Sequence, residues 1–271
     1  MQARKWQVCP FEMCLDTSTW VDAVICDYNY VFDPNVYLKR FFGDGVKGDY
    51  LFLIDEAHNL VDRGRNMYSA VLCKEDFLKV KKAVKEHSRK LERILEKCNK
   101  VLLEYKRECQ DEYRVMENIG ALALQLMNLL GEMENFLERE QEEKVRITVL
   151  EFSFAVRHFL NMYDLVDENY VIYTHHGAEG RFYLTLFCVN PKVNLQECLN
   201  KGEEACSFPL RCCLWDITGR SSAPEDDYAI CAASPFPREN LKLLIARDVS
   251  SKYTRRGEEE YGKLAQYILQ T

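Results

Sequence analysis

Leu51-Phe52-Leu53-Ile54-Asp55-Glu56-Ala57-His58-Asn59-Leu60 decides how the chain is read. Four apolar residues run straight into two carboxylates. A buried parallel strand ends this way at the carboxyl edge of an α/β sheet, where the ligands of open sheets sit. Two adjacent acids at such an end suit one chemistry. Asp55 can hold Mg²⁺, directly or through water, and Glu56 can orient and deprotonate a water for attack on a γ-phosphate. The plainer alternative is an acid pair left exposed after a core strand. Ala57-His58 behind the acids and the apolar run before them favour the chemical reading.

The flanks carry the same order of features. Upstream stand Cys9-Pro10-Phe11-Glu12 and then Asp22-Ala23-Val24-Ile25-Cys26-Asp27-Tyr28-Asn29-Tyr30-Val31-Phe32-Asp33-Pro34. Together with Leu53-Ile54-Asp55-Glu56-Ala57-His58, which is similar to the Walker B or DEAH box of superfamily 2 helicases, this order resembles the iron–sulfur DNA helicases related to XPD and DinG. The resemblance covers residues 9–63, about 182–202 and 226–270, and is weak between them.

The resemblance implies an ATP-dependent DNA helicase using ATP and Mg²⁺, tracking single-stranded or forked DNA in the 5′→3′ direction. It implies Asp55 as the Mg²⁺ ligand, Glu56 as the catalytic base and His58 as the residue coupling the ATP site to the neighbouring lobe. Cys9 is implied as the fourth ligand of a [4Fe–4S] cluster, which needs four thiolates. The other three would lie upstream in a longer parent, so no cluster is expected in these 271 residues alone. An ordinary buried thiol is the alternative for Cys9. Tyr28, Asn29 and Tyr30 are candidate nucleic-acid contacts, although their rings can equally well pack.

Composition sets bounds. The chain is 47% hydrophobic and 29% charged, enough for a core in one large or two ordinary domains. No apolar run is long enough for a membrane span, and the N-terminus lacks a secretory pattern, so a cytoplasmic protein is expected. A formal net charge of −7 argues against indiscriminate nucleic-acid binding but allows a local basic groove. The 12 cysteines form no CxxC pair, which reads as reduced thiols rather than a disulfide frame or a zinc site. No GxxxxGK[ST] occurs, so the phosphate-cradling loop is not in this sequence. The expected reading is a central slice of a longer enzyme with negligible ATP turnover of its own.

The fold class expected is α/β. It comprises a partial RecA-like motor lobe over 1–73, a helical arch-like insertion over 74–181 ending in a hairpin, a return to the first lobe over 182–222, and the start of a second lobe over 223–271. A second strand is expected within 22–32 and a short helix over 35–42. Another helix should start at Asn59. Apolar residues at three and four spacings predict two long helices between 74 and 143, with a break near Cys109–Asp111. Residues 74–108 hold 12 Lys or Arg against 7 acids, and 111–143 hold 2 against 9. These charges read first as mutual attraction between helices, and second as a basic path for single-stranded DNA. A third helix is expected at 148–165. Strands over 170–173 and 182–188 should form a hairpin whose tip carries His175 and His176, and a helix should span 193–200.

Residues 203–220 fit no pattern. Reading from the third base of each codon lets 203–218 encode a string containing Ser-Ala-Thr-Leu-Leu-Pro, the motif that the resemblance leads one to expect there. A frameshift is therefore inferred, with 203–222 irregular and its strand missing from the sheet, because Phe208-Pro209 cannot sit in a central strand. Strands are expected at 228–231 and 241–245, and a helix over 258–270. Lys252, Arg255 and Arg256 are candidate phosphate contacts or simply a solvated loop. Two other functions stay open: a non-catalytic helical interaction module over 74–165, and an RNA helicase of the DEAH group.

Overall fold

In the computed structural model, residues 2–43, 48–140, 142–208, 248–250, 252–255 and 257–269 are described. The apolar run Leu51–Asp55 is strand β1. The chain is of mixed α/β class. It divides into two units, residues 1–224 and 225–271.

Before β1 the chain forms helices α1 (Gln2–Trp6), α2 (Pro10–Ser18), α3 (Asn29–Phe32) and α4 (Lys39–Phe42). Pro10 opens α2, where its missing N–H costs nothing. The strand expected within 22–32 is not there. Residues 23–27 join no strand among the described residues, Ile25 is 102% exposed, and α3 begins at Asn29. An apolar run supplies burial only if a neighbouring backbone supplies hydrogen bonds, and none of the described residues does so here. Of the helix expected over 35–42, only α4 forms.

The absence of a strand after residue 203 is also overturned. Glu204–Phe208 forms β6 and pairs in parallel with β1, Leu51 opposite Glu204 and Asp55 opposite Phe208. Ladder formation is a backbone property, and alternation is demanded only where one face is buried. Here Leu53 is 67% exposed and residues 204–207 are exposed, so the pattern of Glu204-Ala205-Cys206-Ser207 is tolerated. Gly202 is needed at the approach, because a Cβ there would stand 2.5 Å from Phe52 and 2.8 Å from the Tyr50 carbonyl. Residues 209–222 and the strands expected at 228–231 and 241–245 lie outside the described residues.

After β1 come a short turn, Ala57–Asn59, and α5 (Leu60–Met67). Then follow β2 (Ala70–Cys73), α6 (Lys74–Val84), α7 (Arg89–Glu108), β3 (Tyr113–Val115), α8 (Gly120–Arg139), α9 (Glu143–Tyr163), β4 (Tyr170–His176), β5 (Phe182–Cys188) and α10 (Lys192–Leu199). The break near Cys109–Asp111 is present. A second break at 85–88 separates α6 from α7, whose first turn is capped by Ser88 Oγ accepting from the Leu91 N–H at 3.2 Å. Strands β2 and β3 were not expected, and β5 pairs with both β2 and β4. The four form an antiparallel sheet in the order β2-β5-β4-β3.

One face of this sheet packs on the helices. Ala70, Leu72, Ile172, Leu184 and Leu186 join Phe77, Leu95, Leu126, Val156 and Phe159 in one core. The opposite charges of the two helical stretches do meet, through Lys90 of α7 and Glu132 of α8. Lys81 of α6 instead pairs with Glu96 of α7 at 2.6 Å. In the second unit, Glu258–Leu269 forms α11, and the Ser250 N–H donates to Glu260 at 3.1 Å.

The core has a pH signature. Burial raises the Cys98 thiol from 9.0 to about 12, and burial also pushes the Tyr68 and Tyr170 phenols upward. The folded chain then keeps protons that the unfolded chain releases above pH 9. This contribution to stability is intact below pH 9 and is lost as the pH climbs toward 12. Denaturation midpoints measured from pH 7.5 to 11 should fall above pH 9, and Cys98→Ala should flatten the fall. A midpoint constant through pH 11 would contradict the assignment.

Candidate functional site

The site is built at the carboxyl end of β1. Asp55 is the last strand residue and is exposed, and its Oδ1 accepts the Glu56 N–H at 2.9 Å. Glu56 itself is left-handed, with φ 48° and ψ 37°. A non-glycine residue there costs about 1–2 kcal/mol relative to a right-handed conformation. Such strain collects at sites where a side chain must be aimed. The bend turns the Glu56 carboxylate toward His58, with Oε2 3.2 Å from Nε2. The Asn59 N–H donates to the Glu56 carbonyl at 2.9 Å and closes the turn that leads into α5.

The segment 27–33 closes over this turn. The Tyr28 hydroxyl donates to the main-chain carbonyl of Asp55. Arg63, from α5, sits 5.1 Å from the centre of the Tyr28 ring and 3.6 Å from Asp27. Burial raises the Tyr28 phenol pKa, Arg63 opposes this, and Asp55, Glu56 and Asp27 add to the rise. Below Tyr28, the Tyr68 hydroxyl donates to the Phe32 carbonyl at 2.7 Å and ties α3 to the core.

Asp55, Glu56, His58 and Tyr28 are thus brought together, as part of the sequence-based site expected. Asn29 and Tyr30 open α3 beside them. The Asn29 N–H donates to Asp27 Oδ1 at 3.2 Å, and the Tyr30 carbonyl accepts from the Leu38 N–H at 2.9 Å. Sequence reasoning missed Arg63 and Asp27. Arg63 follows Asn59 by one helical turn, which places it on the face of α5 that looks back at the box, but one arginine at that spacing is a weak signal.

Other expected residues stand apart. Cys9 is an exposed free thiol at the start of α2, and Cys14 on the same helix is also exposed. Among the described residues, no three His, Cys, Asp or Glu side chains converge as a metal site. The donor set present does not fit a four-thiolate cluster. It does fit Mg²⁺ in its phosphate-bound form, which takes one or two carboxylates and completes its shell with water and phosphate oxygens. Lys252 is exposed in the second unit, followed by a single turn Tyr253–Arg255. Arg256 lies outside the described residues. No helix among the described residues is long and apolar enough to cross a membrane.

Comparison with curated proteins gives no match for the chain. Residues 2–77, which contain the whole of this site, match the DEAD_2 family model, a domain found in DEAD/DEAH-box helicases.

Proposed function

We propose that the chain carries the nucleotide-hydrolysing acid pair of an ATP-dependent DNA helicase of the iron–sulfur type. The observation that supports this most is the placement of Asp55 and Glu56. They stand side by side where β1 ends, beside the parallel strand β6, with Glu56 turned by its left-handed backbone toward His58. The DEAD_2 match over 2–77 supports the same reading.

In this reading Asp55 would hold Mg²⁺, which would supply positive charge to the transferring phosphate. Glu56 accepts the proton of the attacking water, and its geometry is set by the strained bend rather than by a flexible loop. The His58 ring nitrogen stands 3.2 Å from the Glu56 carboxylate, so movement of the loop after β1 reaches the base directly. Tyr28 links the segment 27–33 to the Asp55 carbonyl, so the same movement reaches the candidate nucleic-acid contacts Asn29 and Tyr30. The four-stranded sheet β2-β5-β4-β3 supports an inserted domain that leaves the motor lobe at β2 and returns after β5.

The test is ATP turnover in a motor in which this chain is joined to a phosphate-loop segment bearing GxxxxGK[ST]. Single-stranded DNA should stimulate turnover at least tenfold more than single-stranded RNA of the same sequence. Equal stimulation by RNA would favour the RNA-helicase reading. If neither strand stimulates turnover, the helical interaction module becomes the better account.

A further inference from the structure

His158 stands half-buried on α9, and both of its ring nitrogens meet groups from distant parts of the chain. Its Nε2 lies 3.0 Å from the Ser69 carbonyl, between α5 and β2. Its Nδ1 lies 3.0 Å from the side-chain nitrogen of Asn35, in the turn that follows α3. The two ends demand the same tautomer. A carbonyl only accepts, so Nε2 carries the hydrogen and donates to Ser69. Nδ1 of the neutral ring then accepts, and Asn35 Nδ2 donates to it. Asp33 holds the Asn35 amide that way round, because its Oδ1 accepts from Asn35 Nδ2 at 3.3 Å and from the Asn35 N–H at 2.8 Å. Turned over, the amide would set its oxygen against the Asp33 carboxylate.

The Ser69 end of this bridge is fixed. Ser69 Oγ donates to the Arg65 carbonyl at 2.6 Å and accepts the Cys188 N–H at 2.9 Å, and Arg65 Nε donates to the Val189 carbonyl at 3.0 Å. The chain entering β2 and the chain leaving β5 are thus pinned together at the carbonyl that His158 grips. The Asn35 end carries the segment that lies over the acid pair. The Asp33 N–H donates to the Asn29 carbonyl at 3.1 Å and the Leu38 N–H to the Tyr30 carbonyl at 2.9 Å, so α3 and the turn behind it move as one piece. A single helical turn does not fix its own placement. Buried Phe32, with its carbonyl held by Tyr68, is one point of attachment. Asn35 is a second, and it removes the freedom to pivot about the first. At the other end of this piece the Tyr28 hydroxyl meets the Asp55 carbonyl.

We propose that His158 is a positioning residue for the acid pair. From α9 it holds the segment 28–38 at a fixed angle, and so keeps Tyr28 on the strand end that presents Asp55 and Glu56. It acts through Asn35 and Tyr28, and a displacement of α9 reaches the acid pair by this route. The effect on turnover rests on the function proposed above, whereas the hold on the segment does not.

The first arm of the experiment uses the 271-residue chain without ATP. Nitrogen NMR signals of the His158 ring should show Nε2 protonated and Nδ1 bare. In His158→Ala the amides of Asp33 and Leu38 should exchange with solvent roughly 2- to 10-fold faster, the loss of one net hydrogen bond, while the amides of β5 keep their rates. His158→Gln should exchange as wild type, because its carbonyl oxygen and amide nitrogen replace the acceptor and the donor. The second arm is ATP turnover by the chain joined to a phosphate-loop segment. There His158→Ala should lower kcat roughly 2- to 10-fold with KM for ATP unchanged, and His158→Gln should restore it. In a Tyr28→Phe background, which already lacks the hydroxyl on Asp55, His158→Ala should have no further effect. Unchanged exchange at Asp33 and Leu38 in His158→Ala would overturn the proposal. So would faster exchange spread through β5, which would make His158 a packing residue, or losses that add to those of Tyr28→Phe. A wild-type motor that turns over no ATP would sink the role of the acid pair, while the exchange arm still decides whether His158 holds the segment.

Discussion

Phe77→Ala should destabilise the first unit by about 3–5 kcal/mol in chemical denaturation, the range for deleting a fully buried phenylalanine. Phe77 is 0% exposed, and its ring meets that of Phe152 edge-on, with centroids 4.8 Å apart at 84°. Phe77 lies on α6 and Phe152 on α9, so this pair fastens the short helix to the long one that also packs on β2. Removing the ring forfeits the transfer energy, leaves a cavity, and unseats an aromatic contact worth about 0.5–1.5 kcal/mol beyond its area. Domain stabilities are about 5–15 kcal/mol, so a large share would be lost. Phe77→Leu should recover most of it. A loss below 1 kcal/mol for the alanine variant would mean that α6 is not held as described.

What the sequence made legible follows from where the pattern was long. The periodic runs through Leu91, Leu95, Leu102 and through Leu122, Leu126, Leu129, Met133 each gave a helix, because twenty residues of one-sided apolarity have few other solutions. The run into Asp55 gave a strand for a similar reason. Short elements were not legible. Ala70–Cys73 and Tyr113–Val115 are too brief for alternation to register, and each becomes a strand only because β5 or β4 lies alongside. Ala23–Cys26 shows the converse, a strand-like composition with no partner strand among the described residues. Glu204–Phe208 shows that a strand can form where alternation is absent, since β1 supplied the ladder and exposed faces removed the need for pattern.

The candidate site divides the same way. Asp55, Glu56 and His58 were readable as a contiguous motif, and Tyr28 as part of an ordered run before it. The left-handed backbone of Glu56 and the approach of Arg63 to Tyr28 were not, because both depend on how β1, α3 and α5 are placed in space. The bridge from His158 to Asn35 and Ser69 was invisible for another reason. The three residues stand far apart in the chain and become neighbours only in the folded unit.

On the proposed function, Glu56→Gln should have the largest functional effect. Glutamine keeps the length of the side chain beside His58 but cannot take the proton of the attacking water. Loss of a positioned general base lowers turnover by about 10²–10⁴-fold. Binding of ATP should change little, because glutamine has the size of glutamate and removes only the basic oxygen, and the variant should accumulate the ATP-bound state. Asp55→Asn should differ in kind, weakening the response to Mg²⁺ as well as turnover.

The measurement that bears most directly on the account is single-turnover ATP hydrolysis by the joined motor, wild type against Glu56→Gln, at saturating Mg²⁺ and single-stranded DNA. The account predicts a rate at least 100-fold lower in the variant with ATP binding within about threefold of wild type. Hydrolysis at the wild-type rate in Glu56→Gln would contradict it and leave the acid pair at the end of β1 without a chemical role.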